Sequence, residues 1–294
     1  MNSPSFNPGA MAPPASFARR MLYAAPVRIV IGILAIGLTA ALAYAAARAM
    51  APAPRLIWPH LLAAVLVTLV YVGYVRLFER RAVTELAAAG AARQWGVGTA
   101  LGAGAVLAVM AALAASGSYH FTALRPWSLA IIAPLAEMLF AGLFEEILFR
   151  GVLFRITERA LGSWPALLIS SLLFAAAHLG DSITVIGLIN TALAGLMLCA
   201  AFMLTRRLWL GIGIHAAWNY TLGSICSIAV SGHAGKGWMA GTVSGPDWLT
   251  GGAYGLEASL LTTVVMGVLF AALYGRARRA GQVLRRGAAS PVIT

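Results

Sequence analysis

Long apolar runs separated by short basic clusters fill most of the chain. A membrane-spanning helix needs about 20 mostly apolar residues. Eight runs come close to that length, at about 27–47, 57–77, 96–117, 127–150, 164–180, 183–204, 207–230 and 256–275. They lack the alternating pattern of a membrane barrel and exceed the length of its strands, so helices are predicted. The expected architecture is therefore all-α, a polytopic membrane protein with about eight transmembrane helices. Residues 1–24, rich in Pro, Ala and Ser, are expected to form a disordered cytoplasmic tail. Residues 25–276 form the transmembrane domain and 277–294 a basic cytoplasmic tail.

Composition agrees with that pattern. Of 294 residues, 61 % are hydrophobic and only 10 % charged. A soluble fold has too little polar surface to cover such a chain. The net charge of +12 suggests nucleic acid at first sight. The basic residues, however, sit in short clusters between apolar runs, as membrane loops do, so no nucleic-acid partner is expected. Counted by alternate sides of eight spans, 17 Lys and Arg fall on one side and 4 on the other. By the positive-inside rule this places both termini in the cytoplasm. Trp58, Trp95, Trp127, Trp164, Trp209 and Trp248 lie near span ends, as interfacial anchors do. Arg19-Arg20 and Ala47-Arg48-Ala49 imitate a twin-arginine signal and its cleavage site. Seven further spans favour reading the first run as a helix that stays. Cys199 and Cys226 fall inside apolar runs and read as packing residues. Gly98 and Gly102 form a GxxxG pair suited to close helix contact.

Ionisable groups inside a bilayer are costly and usually functional or paired. The fourth run carries Glu137, Glu145, Glu146 and Arg150; the fifth His178; the sixth Asn190; the seventh His215 and Asn219. At about 100° per residue, Glu146 and Arg150 share a face one turn apart and form an ion pair. Glu145 is rotated away and remains the free carboxylate, the candidate general base. Phe174 and His178 share a face, so the ring can fix the imidazole. His215 and Asn219 place two donors on one face, suited to an oxyanion. A base, an imidazole partner and a donor pair are the parts needed to hydrolyse an amide. One difficulty is depth. Glu145 and His215 stand near the basic clusters, whereas His178 lies at the far end of its run. The three meet only if the fifth helix starts later or the fourth continues past Arg150.

Glu145-Glu146-x-x-x-Arg150, Phe174-x-x-x-His178 and His215-x-x-x-Asn219, in this order on successive apolar runs, resemble the three motifs of the CPBP intramembrane proteases. That family includes the CAAX prenyl endopeptidases and the bacterial Abi-type proteins. The resemblance covers about residues 127–225, taken as the catalytic core. It implies an eight-helix membrane fold with a conical cavity. It further implies a glutamate-dependent endopeptidase in which Glu145 and His178 activate water and His215 and Asn219 stabilise the oxyanion, with Glu146, Arg150 and Phe174 supporting them. Glu137 is an extra acid, read as structural.

No cofactor is expected. Zinc on Glu145, His178 and His215 is the alternative, since one carboxylate and two imidazoles complete a three-ligand site, although no HExxH motif is present. The implied partner is a membrane-associated peptide or protein substrate, within the lipid bilayer. Its identity and the oligomeric state are not legible. The Ala- and Arg-rich composition suggests a bacterial inner membrane, and the last residues, Ser290 to Thr294, are no CAAX box. Two other functions fit the same residues. One is a non-catalytic membrane scaffold or immunity protein on the same fold. The other is a proton-coupled transporter relaying through Glu137, Glu145 and His178, against which the lack of internal repeats counts.

Overall fold

The structure, a computed structural model, describes residues 24–47, 56–180 and 183–286. The N-terminal tail (apart from residue 24), Arg19, Arg20, Arg48, Arg55 and the last eight residues lie outside the described residues. Among the described residues, nine helices of seven or more residues carry the fold. α1 is Ala25–Ala47, α2 Trp58–Gly73 and α3 Ala91–Ala115. α4, Pro134–Glu146, runs without a break through a wide-turned π-helical stretch, Ile147–Phe154, into α5, Arg155–Leu161. α6 is Ser163–Ala177, α7 Val185–Thr205, α8 Trp209–Tyr220 and α9 Leu260–Arg279. A second π stretch, Thr221–Ile225, prolongs α8.

The helices are apolar outside and small-residued inside. Leu34, Leu38 and Leu42 of α1 are each at least 60 % exposed, while Ile36, Ala40 and Ala43 are buried against Ala63, Val67 and Tyr71 of α2. Large apolar side chains facing outward suit a hydrocarbon solvent, and small ones facing inward let backbones approach. The closest approach joins α3 to α8. A Cβ on Gly98 would stand 2.3 Å from the Leu210 carbonyl oxygen, and one on Gly102 would stand 2.2 Å from that of Ile214. Only glycine permits this contact.

Of three sequence expectations, the first is met in part and the other two are corrected. First, among the described residues, five helices are long and apolar enough to cross a membrane: Ala25–Ala47, Trp58–Phe78, Ala91–Ala115, Val185–Thr205 and Leu260–Arg279. The segments at the other three predicted positions are too short or carry charge within the helix. Second, the fold is not purely helical. Tyr119–Leu124 (β1) pairs antiparallel with Met239–Val243 (β2) in a two-stranded sheet at one end of the molecule. Third, the fourth helix starts at Pro134 rather than 127 and runs to Leu161 rather than 150. Proline at the first helical position needs no N–H partner, which fixes the start. Arg150 therefore lies in mid-helix, fully buried, and not at an interface.

The end opposite the sheet is tied by ion pairs. Glu79 contacts Arg28, Arg81 and Arg155; Glu85 contacts Arg81 and Arg155. The Tyr71 hydroxyl donates to Glu85 at 2.7 Å. Arg206 pairs with Glu158 and also reaches Gln282. The Leu284 N–H donates to Ser163 Oγ at 2.8 Å. The chain after α9 is thus held down at least to Leu284.

Candidate active site

α4, α6 and α8 bring the three motifs together. Continuation of α4 through its π stretch moves Glu145 away from the helix end, and α6 ends at Ala177 with His178 as its cap. The depth difficulty is resolved by the longer fourth helix. Glu145 Oε2 lies 3.7 Å from His178 Nε2 and 3.8 Å from His215 Nε2. That oxygen is buried and has no hydrogen-bond partner. The buried polar groups of a folded protein are almost always paired. This orphaned carboxylate oxygen faces two imidazoles.

The other ring nitrogens fix the proton positions. His178 Nδ1 stands 2.8 Å from the Phe174 carbonyl oxygen. A carbonyl can only accept, so Nδ1 carries a proton, and Nε2 faces Glu145. The Phe174 ring packs 4.6 Å from the His178 ring. His215 Nδ1 stands 3.4 Å from Glu146 Oε1, which likewise orients it as the donor on that side.

Glu146 and Arg150 form the expected i,i+4 pair at 2.8 Å, both essentially unexposed. Arg150 also donates to the Gly195 carbonyl at 3.0 Å and lies 4.7 Å over the Phe174 ring. One buried guanidinium thus fixes Glu146 on α4, the backbone of α7 and the ring that packs against His178. Gly211 of α8 makes room for this pair, since a Cβ there would stand 2.6 Å from Glu146 Oε2.

These groups line a cavity of about 880 Å³. Asn219, Glu137 and Glu257 also line it. Asn219 is one turn beyond His215 on the same helix. Asn190 has a different part. Its amide donates to the Glu257 and Ser259 carbonyls, and its oxygen accepts from Thr263. It pins the start of α9 to α7.

Glu257 was not singled out from the sequence. It accepts from Trp218 Nε1 at 3.0 Å and from Ser231 Oγ at 3.2 Å. Trp218 lies between His215 and Asn219 in sequence, so Glu257 ties this stretch of α8 to the loop beside the cavity. The available signal is an ionisable group inside the run at about 256–275, the same signal that marks Glu137 in the fourth run.

Glu145, His178 and His215 are a chemically suitable donor set for zinc. Among the described residues, however, no group of three His, Cys, Asp or Glu side chains is arranged to hold a metal ion. The set does not fit as it stands, and the chemistry below uses the side chains alone.

Residues 126–221 match the family model described as Type II CAAX prenyl endopeptidase Rce1-like. No curated protein matches the chain, and no solved structure does. The matched third holds Glu145, Glu146, Arg150, Phe174, His178, His215 and Asn219, while Glu257 lies beyond it. The motif resemblance read from the sequence is thereby borne out, and the family is one of proteases. The chain is a multi-pass membrane protein whose residues 126–221 are similar to the Rce1-like type II CAAX prenyl endopeptidases.

Proposed function

We propose that the protein is an intramembrane endopeptidase of glutamic type, cleaving a peptide bond in a membrane-associated protein or peptide. α4–α5, α6 and α8 complete eight crossings around the cavity. The observation that carries the mechanism is the unpaired Glu145 Oε2 between two imidazole Nε2 atoms. A water there donates one proton to Glu145 and a second hydrogen bond to the His178 Nε2 lone pair. As Glu145 takes the proton, the water oxygen attacks the carbonyl carbon of the substrate. The resulting oxyanion accepts from the Asn219 amide. With its Nδ1–H directed to Glu146, His215 serves the oxyanion as an imidazolium through Nε2–H. Glu145 then passes its proton to the leaving nitrogen, and the C–N bond breaks.

The test is a comparison of protein N-termini in membranes of cells expressing wild type or Glu145→Gln at matched levels. New N-termini found only with the wild type are expected, and they identify the substrates. Identical N-termini in the two, with cleavage of any native target unchanged by Glu145→Gln, would remove the proposed base and favour a scaffold on the same fold.

A further inference from the structure

Asn219 is the member of the site with the least support of its own. His215 is held through Nδ1 by Glu146 at 3.4 Å. Among the described residues, the Asn219 amide has no hydrogen-bond partner, so the backbone of α8 sets where it stands. That backbone is anchored one residue earlier. Trp218, buried and lining the cavity, donates its indole N–H to Glu257 Oε1 at 3.0 Å. His215 and Trp218 are three residues apart and neighbours on the helix surface. One carboxylate thus anchors the turn of α8 that carries both the imidazole and the amide.

The second oxygen of Glu257 holds part of the cavity wall. The Ser231 N–H and Oγ both donate to Oε2, the hydroxyl at 3.2 Å. Ser231 has φ +47°, a left-handed conformation that non-glycine residues seldom take and that needs support from its surroundings. Val230, Ser231, His233 and Lys236 of this loop line the cavity. Glu257 is itself well fixed. Its carbonyl accepts from the Asn190 amide of α7 at 2.8 Å. Two residues earlier, Gly255 has φ +94°, and a Cβ there would stand 2.3 Å from the Ala229 carbonyl oxygen. The segment before α9 therefore presses directly on the loop, and both α8 and the loop are tied to one side chain on it.

Resting on the protease reading, we propose that Glu257 is a positioning residue for the reaction. Through Trp218 it holds His215 and Asn219 where the oxyanion forms, and through Ser231 it holds the neighbouring wall against them. It lies outside residues 126–221, so this chain supplies the support from a segment beyond the three motifs.

The test uses the full-length protein in detergent and a substrate that the wild type cleaves and Glu145→Gln does not. Glu257→Gln keeps the side-chain volume but has one acceptor oxygen instead of two, so it cannot hold Trp218 and Ser231 together. Its kcat should fall about tenfold with KM little changed, since a hydrogen bond to a charged group is worth about a decade of rate. Trp218→Phe breaks the same link from the other side and should also lower kcat. The double variant should be no slower than Glu257→Gln alone, whereas independent effects would multiply. Thr263→Val is the control. It removes a bond to Asn190 and so loosens the same segment, but Thr263 does not line the cavity. Its thermal midpoint should fall while its kcat stays at the wild-type value. Wild-type kcat in Glu257→Gln, multiplying losses in the double variant, or an equal loss of kcat in Thr263→Val would each overturn the proposal and leave the protease reading standing.

A second arm does not depend on cleavage. In protein labelled with 15N at the indoles, the Trp218 signal is assigned by its absence in Trp218→Phe. Its proton shift should move upfield in Glu257→Gln, because a neutral amide is a weaker acceptor than a carboxylate, and stay in place in Thr263→Val. An unmoved signal in Glu257→Gln overturns the proposal. If Glu145→Gln cleaves like wild type, the protease reading fails, and the indole signal still decides whether Glu257 holds α8.

Discussion

The molecule buries carboxylates in two places and treats them in opposite ways. At the basic end, Glu79 and Glu85 are surrounded by guanidinium groups. Burial by itself would raise the Glu79 carboxyl, but Arg155, Arg28 and Arg81 overcome it and hold Glu79 down to about 2. Glu85, outweighing its burial through Arg81 and Arg155, is also held below the ordinary carboxylate range. In the cavity, Glu146 has an arginine of its own while its neighbour Glu145 has none, and Glu145 keeps an unpaired buried oxygen. A satisfied ion pair does no chemistry, because its lone pairs are occupied. An unsatisfied carboxylate costs stability and is therefore free to take a proton. In the proposed mechanism, that difference separates the residues that hold the fold from the one that reacts.

The largest effect expected from this contrast is that of Glu145→Gln. It should lower kcat/KM by about 10³-fold, within the usual range for removal of a general base, with the thermal midpoint in detergent unchanged. A loss of folding in this variant would show that Glu145 belongs with the structural group. Next is Arg150→Ala, which leaves Glu146 buried without its cation. A loss of about 3–5 kcal/mol is expected from breaking a buried pair, read as a lowered denaturation midpoint. Asn219→Ala should lower kcat by about 10²-fold with KM little changed, as loss of one oxyanion donor does. Glu79→Gln should reverse the pattern of Glu145→Gln. It should lower the thermal midpoint, because three arginines lose an ionised partner, and leave kcat/KM within about twofold, since Glu79 does not touch the cavity residues. The smallest effect is pH dependence. A carboxyl whose folded value is depressed adds stability that is complete above its ordinary value and drains away as the pH falls through the folded value. The stability from Glu79 should thus be lost from about pH 4.5 downward toward 2. Thermal midpoints recorded across that interval should fall less steeply in Glu79→Gln than in wild type.

The site was more legible than the architecture around it. Glu146 and Arg150 were paired from their spacing alone, because a four-residue offset on a helix leaves few other partners. The GxxxG at Gly98 was legible for a similar reason, although its partner helix was not. The helix limits were less accurate. Pro134 was visible as an interruption, but nothing local said that the helix would continue through Arg150 and end at Leu161. The strands went unseen, since Tyr119–Leu124 and Met239–Val243 are more than a hundred residues apart in sequence and each is too short to show a period. Glu257 went unseen because its importance lies in the partners it meets, Trp218 and Ser231, and not in its spacing.

By itself the sequence determined that this is a helical membrane protein and which polar residues stand in its apolar segments, since hydropathy and helical periodicity are local properties of the chain. Only the tertiary structure decided that Glu145 stands within 4 Å of both imidazoles and that the continuing fourth helix brings His178 to the same depth. Those facts depend on which helices touch and how far each extends. Packing of glycine faces and the closing of a buried ion pair set them, and both are contacts between residues distant in sequence.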